Sequence, residues 1–491
     1  LSLDLAMQQI TKPHAALLAS PGMGHLIPVL ELGKRLVTHH NLHVTVFVVA
    51  NDTSVEQLSG LLNSPDQDVL NIILLPPVDI SGLVGPRASV VTKIVVLMHE
   101  SLPVLRSTIS AMKFRPTALF VDLFATEAMA IADEFEMSKY VFIASNAWFV
   151  AVTTYAPKLD KKVLWDEHVN RQQPLKIPGC TPVRFQDTLE AFLEPNDPMY
   201  DGFLSVGMAI SAADGILVNT WEDLESATLE ALADTNTLRP IVKAPIYPIG
   251  PLTRPVAQPV LGNEILDWLD MQPTDSVIYV SFGSGGTLSA KQMVELAWGL
   301  ELSQQKFIWV VRPPVEDDVS GSFFNLENGS ADKFDYLPNG FLTRTHKIGL
   351  VVPMWAPQPE ILGHPSVGGF LSHCGWNSTL ESIVNGVPMI AWPLYAEQKM
   401  NASMLTAELG VAVRSKNLPS ECIVGRKEIE MMVRKIMADK EGEAIRNKVK
   451  ELKLRAQKAS IKGGSSYNAL SQVAKDCEKI LQWELVKAQG A

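Results

Sequence analysis

Two residues far apart in the chain have the types needed to take a proton from a weak nucleophile. His25 ends the run Ser20-Pro-Gly-Met-Gly-His25, and Asp122 closes the apolar run Ala118-Leu-Phe-Val-Asp122. A histidine titrates near neutral pH and can serve as a general base. A carboxylate held against its second ring nitrogen would fix the tautomer and stabilise the imidazolium. Gly22 and Gly24 would let backbone approach a ligand closely. Each motif also has a plainer reading, a tight turn carrying an exposed histidine and an aspartate capping the next helix. Spacing alone leaves both readings open. Neither run is GxGxxG, so the dinucleotide fingerprint is not satisfied.

A second glycine-rich turn, Ser281-Phe-Gly-Ser-Gly-Gly286, offers Ser284 as a hydroxyl for phosphate or reads as an ordinary strand-to-helix turn. The segment Trp355 to Gln398 is more specific. Within it Val367 to Ser372 reads as a strand, and His373-Cys-Gly-Trp-Asn-Ser378 as a turn opening a helix. A helix N-terminus presents free N–H groups and positive potential, which suits a diphosphate. Ser378 and Glu381 lie three apart, on one helical face, so a hydroxyl and a carboxylate can reach one nucleotide. Trp355 offers a ring for stacking, and the Gln358 amide both donates and accepts.

Elements that could position these groups alternate along the chain. His14 to Ala19, His43 to Ala50, Ile72 to Leu75 and Ala118 to Val121 read as strands, and Ile27 to Val37 has helical spacing. After the proline-dense stretch Tyr247 to Pro259 the alternation restarts. Ser276 to Ser281 and Lys306 to Arg312 are strands around a helix Ala290 to Leu302. Pro313 to Asp335 reads as a mobile acidic loop. Such βαβ alternation predicts parallel sheets covered by helices, with ligands beyond the carboxyl ends of the strands. Gly463-Gly464-Ser465-Ser466 breaks one helix. Leu470, Val473, Cys477, Ile480 and Leu481 then recur at helical spacing, so a last helix must pack on something.

The 491 residues suit two domains, and 47 % hydrophobic with 19 % charged is a globular composition. A net charge of −11 without a large basic cluster argues against nucleic acid or an anionic membrane as partner. Cys180, Cys374, Cys422 and Cys477 are scattered and form no CxxC, which fits a reducing compartment better than a disulfide framework or zinc site. No secretory apolar core and no run long enough to span a bilayer is evident. A cytoplasmic protein without a membrane span is therefore expected, and a monomer is the expectation for its assembly.

The Trp355–Gln398 segment resembles, almost residue for residue, the signature of the plant UDP-dependent glycosyltransferases (family 1). The resemblance extends to SPGMGH, the strand-end aspartate, YPIGPL, YVSFGSGGTL and AEQKMNA, so it covers nearly the whole chain. It is nearest to the subgroup of hydroquinone and monolignol glucosyltransferases. It implies the α/β GT-B fold: two Rossmann-like, doubly wound domains facing across a cleft. The expected division is an acceptor-binding domain over 7–250, a linker over 251–262, a UDP-sugar-binding domain over 263–465 and a C-terminal helix over 466–491 returning to the first domain.

Carried over residue by residue, the resemblance puts Trp355 on uracil, with Ala356 and Gln358 holding base and ribose. It gives His373, Asn377 and Ser378 the diphosphate, with Ser20 and Ser284 closing on it, and Glu381 the ribose hydroxyls. Trp376, Glu397 and Gln398 would hold the glucose hydroxyls; Glu397 stands where much of the wider family has aspartate. His25 assisted by Asp122 would activate the hydroxyl of a small aromatic acceptor, inverting the α-donor to a β-O-glucoside. Leu123, Phe124, Trp148 and the segment Pro76 to Leu83 are acceptor candidates, each of which could equally be core. Trp148 and Phe149 are adjacent and cannot both face the cleft in regular backbone. UDP-glucose would be a co-substrate, with no cofactor. No metal is expected, and Asp66-Gln-Asp68 is read as a solvated loop. Rival readings are an epimerase or phosphorylase on the same fold, a silent ligand-binding protein and an NAD-dependent oxidoreductase. The full Trp355–Gln398 segment, the presence of both His25 and Asp122, and the missing GxGxxG weigh against them in turn.

Overall fold

The computed structural model describes residues 12–49, 69–85, 88–256, 263–316, 334–418 and 422–489. Asp66 and Asp68, the second half of the 251–262 linker and most of the acidic stretch after Pro313 lie outside them. The first sheet contains β1 (His14–Ala19), β2 (His43–Val49), β3 (Asn71–Leu75), β4 (Ala118–Asp122), β5 (Ser138–Ile143), β6 (Gly215–Val218) and β7 (Ile246–Pro248). Its order is β3-β2-β1-β4-β5-β6-β7, parallel throughout. The second contains β8 (Val277–Ser281), β9 (Lys306–Val311), β10 (Gly349–Pro353), β11 (Val367–Ser372), β12 (Met389–Ala391) and β13 (Ala412–Arg414). Its order is β10-β9-β8-β11-β12-β13, again parallel.

The central strands are buried along their whole length, which is why they read as continuous apolar runs rather than alternating ones. β5, β6, β7, β10, β12 and β13 were not singled out in the sequence. Several are only three or four residues long, too short to carry a periodicity of their own, and β7 overlaps the start of the proline-dense stretch Tyr247 to Pro259.

In each sheet the chain reverses its direction of winding at one place, between β1 and β4 and between β8 and β11. Crevices for ligands form at the carboxyl ends of strands flanking such a switch. The Ser20–His25 turn and Asp122 follow β1 and β4; Ser281–Gly286 and His373–Ser378 follow β8 and β11. All four motifs therefore emerge at switch points.

The helices that matter for the site are α1 (Met23–His40), α2 (Ala147–Tyr155), α3 (Gln358–Gly363), α4 (Trp376–Asn385) and α5 (Gln398–Ser403), and two long helices follow, α6 (Lys440–Ser460) and α7 (Ser465–Gln489). Helix α7 buries Leu470, Val473, Ala474 and Cys477 in the same core as Leu17, Val46 and Phe142 of the first sheet. Ile480 and Leu481 are only partly buried. Tyr247 of β7 donates its hydroxyl to Asp476 at 3.2 Å, adding a polar tie. Among the described residues no helix is long and apolar enough to cross a membrane.

Candidate active site

His25 lies in the first turn of α1 and Asp122 at the end of β4. His25 Nδ1 and Asp122 Oδ2 are 2.8 Å apart. The second carboxylate oxygen accepts from the Ser20 hydroxyl at 2.7 Å and from the main-chain N–H of Phe124 at 3.0 Å. Asp122 thus caps the helical turn that follows it and also holds His25, so the cap and the contact with the imidazole coexist.

Burial resists charging the His25 ring, but the charge and hydrogen bond of Asp122, with a further contribution from the Glu397 charge, raise its pKa above 6.5. Burial likewise acts against the Asp122 carboxylate, yet His25, Ser20 and the Phe124 N–H together hold it below the usual range. With Nδ1 engaged, Nε2 is the nitrogen left to meet a substrate, and the side chain is 24 % exposed. The Phe124 ring stands 5.2 Å from the imidazole, centroid to centroid. Leu123 and Phe124 are partly buried beside the dyad. Val78 and Ile80, in the Pro76 to Leu83 segment, pack against the same core, with Leu83 at its exposed end.

Two expected positions must be corrected. Ser20 is 1 % exposed and its proton goes to Asp122, so it supports the dyad rather than facing a phosphate. Trp148 is 1 % exposed and belongs to the core, as does Phe149, so neither presents its ring to an acceptor. Helix α2 is apolar from Ala147 to Val152 and buried on every side up to Thr154, and its N-terminus is held by the buried Glu225, which accepts from the N–H groups of Ala147 and Trp148 at 2.9 Å each. A helix of that composition belongs inside.

On the opposite side, Gln358 of α3 donates to the Ser378 hydroxyl at 2.9 Å and to Glu381 at 2.7 Å. Three residues expected to meet one nucleotide are therefore already linked, and the Gln358 amide oxygen is the acceptor this triad does not use. Burial raises the Glu381 pKa, against the opposing hydrogen bond from Gln358. Trp355 is 62 % exposed, as a stacking platform must be, whereas Ala356 is buried and could offer a base only its main chain. Ser284 is exposed at the tip of its turn.

His373 is buried, and burial followed by the charge of Arg312 lowers its pKa to about 4, so the ring is neutral. Side chains on Gly283 or Gly375 would collide with it: a Cβ would stand 2.4 Å and 2.5 Å from Nε2. Helix α4 has Gly375 at its N-cap position and so no side-chain cap, which leaves its first N–H groups available to an anion.

Side chains also join the two halves. The Trp376 indole N–H donates to the main-chain carbonyl of Asn219 at 2.7 Å, so what Trp376 can offer a sugar is its main-chain N–H. Asn377 donates to the carbonyl of Gly24 at 2.9 Å. That carbonyl is four residues before Pro28, which lacks the N–H that would otherwise occupy it within α1. A proline inside the helix thus frees a main-chain acceptor for the facing domain. Asn146 donates to Asn401 at 2.7 Å, and Asn401 donates to the Cys374 carbonyl at 2.9 Å, tying α2, α5 and the His373–Ser378 turn together.

At the start of α5, Gln398 accepts from the N–H groups of Leu394 and Tyr395 at 3.0 and 3.1 Å, which leaves its amide NH2 for a ligand. Glu397 lies beside it, close enough to influence His25, and burial raises its own pKa. Among the described residues there is no group of three or more His, Cys, Asp or Glu placed to hold a metal ion. Sequence reasoning did not foresee the Asn219, Asn401 or Glu225 contacts, which have no local motif. It also passed over Arg312, although an ionisable residue closing an apolar strand is the same signal that singled out Asp122.

The family model described as UDP-glucoronosyl and UDP-glucosyl transferase matches residues 209–441. The chain is 53 % identical to UDP-glycosyltransferase 72E1 of Arabidopsis thaliana, over 98 % of this chain and 100 % of that one. It is also 53 % identical to anthocyanidin 3-O-glucosyltransferase 5 of Manihot esculenta, covering 98 % of each. Its fold is similar to the crystal structure of TcCGT1 in complex with UDP, with a TM-score of 0.89 and 50 % identity over 96 % of this chain and 100 % of that one.

Proposed function

This chain belongs to the UDP-glucoronosyl and UDP-glucosyl transferase family and is a UDP-glycosyltransferase of GT-B fold; from that premise we propose that it transfers glucose from UDP-glucose to a hydroxyl of a small phenolic or hydroxyindole-like acceptor, with inversion. The observation that carries the reading is the His25–Asp122 pair: Nδ1 is held at 2.8 Å by a buried carboxylate, and Nε2 is free beside a partly exposed aromatic ring.

A phenol is a weak nucleophile until it loses its proton, and a neutral imidazole can accept it. The acceptor oxygen forms its bond to the anomeric carbon as the bond from that carbon to the diphosphate oxygen breaks. The proton goes to His25 Nε2, the bonding electrons leave with UDP, and the α-donor becomes a β-glucoside. Asp122 stabilises the imidazolium so formed. The acceptor lies on the Phe124 side, in the domain of the first sheet.

On the donor side, Trp355 stacks on uracil, while Gln358 and Glu381 take the base and ribose. Ser378, the first N–H groups of α4, His373 and the Ser284 turn take the diphosphate. The main-chain N–H of Trp376 with Glu397 and Gln398 meets the glucose hydroxyls. A helix N-terminus aimed at the leaving group stabilises charge where it develops, and no metal is needed in this scheme. The anthocyanidin named for one relative is itself phenolic, which supports the acceptor class.

The test is turnover of UDP-glucose and UDP-galactose against a phenol panel, with and without EDTA. We expect kcat/KM for glucose to exceed that for galactose by about ten- to a hundredfold, since a mispaired buried hydroxyl costs about 1–3 kcal/mol. EDTA should leave the rate unchanged. Equal use of both sugars, or loss of activity on chelation with rescue by Mg²⁺, would refute the assignment.

A further inference from the structure

Arg312 follows β9 and is 8 % exposed. Its Nη1 donates to the main-chain carbonyls of Gly283 and Gly286, and its Nε has no partner. Carbonyls satisfy hydrogen bonds but do not neutralise a charge, and a buried ion without a counter-ion costs several kcal/mol. Arg414 shows the ordinary solution: its side chain is 9 % exposed and makes bonds of 2.8 and 3.1 Å to the two oxygens of Asp187. Among the described residues no carboxylate forms an ion pair with Arg312. Glu381, the buried carboxylate of α4, accepts from Gln358 instead.

The position of this unpaired cation is specific. The carbonyls it holds belong to the glycine-rich turn after β8, and Gly283 of that turn packs on His373 so closely that a Cβ would stand 2.4 Å from its Nε2. His373 opens the turn into α4, has an unpartnered buried Nδ1, and feels the Arg312 charge. A guanidinium, an uncapped helix N-terminus and a neutral histidine therefore converge on one strand edge, with no carboxylate paired to the guanidinium among the described residues. The ligand that answers such a field is a multiply charged anion.

We propose that Arg312 is a positioning residue that fixes the Ser281–Gly286 turn and lends its positive charge to the diphosphate of the bound sugar nucleotide. This rests on the UDP-sugar reading given above. As the bond from the anomeric carbon to the diphosphate oxygen breaks, negative charge on the diphosphate rises, so the Arg312 charge counts more in the transition state than in the bound donor.

The experiment compares Arg312→Met and Arg312→Lys with wild type by calorimetry, using UDP and uridine as probes, together with thermal unfolding. For Arg312→Met we expect Kd for UDP to rise about ten- to a hundredfold, as for a lost hydrogen bond to a charged group, while Kd for uridine stays within about twofold. The lysine variant keeps the charge and should hold UDP within about fivefold of wild type, even though one or both carbonyl bonds are lost. Equal weakening of UDP and uridine in the methionine variant would mean a merely structural arginine and overturn the proposal. So would an unchanged Kd for UDP. If the methionine variant does not fold, the lysine variant decides: a tenfold or greater loss of UDP with uridine unchanged would remove the charge from the argument. Wild-type protein that binds neither UDP nor uridine would refute the UDP-sugar reading itself, an outcome separate from any difference between variants.

Discussion

The two glycine-rich turns, Ser20–His25 after β1 and Ser281–Gly286 after β8, solve the same backbone problem and end with opposite electrostatics. At the first, the ionisable group brings its own counter-ion. His25 rests on Asp122, and that carboxylate is in turn held by Ser20 and the Phe124 N–H. At the second, Arg312 and His373 have no carboxylate paired with them among the described residues, and buried nitrogens remain unpartnered. A base of the kind proposed for His25 must be oriented before its substrate arrives, so its charge is balanced within the protein. A site for a multiply charged leaving group gains by leaving its own positive field unbalanced until the ligand supplies the negative charge.

The largest effect expected from this contrast is at His25. His25→Ala should lower kcat/KM for a weakly acidic phenol by about 10²–10⁴-fold, with UDP affinity by calorimetry near that of wild type. The loss should shrink for acidic phenols such as polychlorinated ones, which arrive ionised. A variant that lost UDP binding instead would erase the division between the two turns.

Asp122→Asn comes next, with a loss of about ten- to a hundredfold, the scale of one hydrogen bond to a charged group. It carries a second readout. The base must be neutral to act, so activity rises as pH climbs through the His25 pKa. Asp122 and Glu397 raise that pKa against burial, so the wild-type limb should lie above pH 6.5, the ordinary histidine value. Replacing the carboxylate removes the main raising influence and should move the limb to lower pH while the plateau falls. A limb that stayed in place would mean another group titrates.

The smallest effect sharpens the donor side. Gln358→Ala removes the donor shared by Ser378 and Glu381. It should weaken UDP and uridine alike by about two- to tenfold, the net worth of an ordinary hydrogen bond. Selective loss of UDP would move Gln358 from the nucleoside end to the diphosphate.

Much of the site was legible because its residues sit where strands end. His25, Asp122, Ser284 and His373 each follow an apolar run that is buried throughout. Burial on both faces is what makes a parallel strand visible in a sequence and places its last residue at the ligand edge. The Ser378–Glu381 pair was legible from helical spacing. Trp148 was misplaced because an apolar residue after a strand end looks the same whether it lines a cleft or fills a core; the surrounding helix α2 had to be seen buried on every side. Ser20 was misplaced because a serine in a glycine-rich turn offers its hydroxyl to a phosphate or to a neighbouring strand equally well.

The sequence by itself determined the alternating α/β architecture and brought forward the groups proposed for proton transfer and the segment proposed for a nucleotide diphosphate, since these depend on residue type and short-range period. Tertiary structure alone decided which partners those groups take. Asn377 reaches Gly24 because Pro28 leaves a carbonyl unclaimed, Trp376 reaches Asn219, and Asn146 meets Asn401, pairs separated by up to 353 positions in the chain. Their hydrogen bonds form only once two separately wound sheets have been brought edge to edge. No local pattern records that approach, because the free energy that fixes it is spread over buried apolar surface rather than held by the polar residues it aligns.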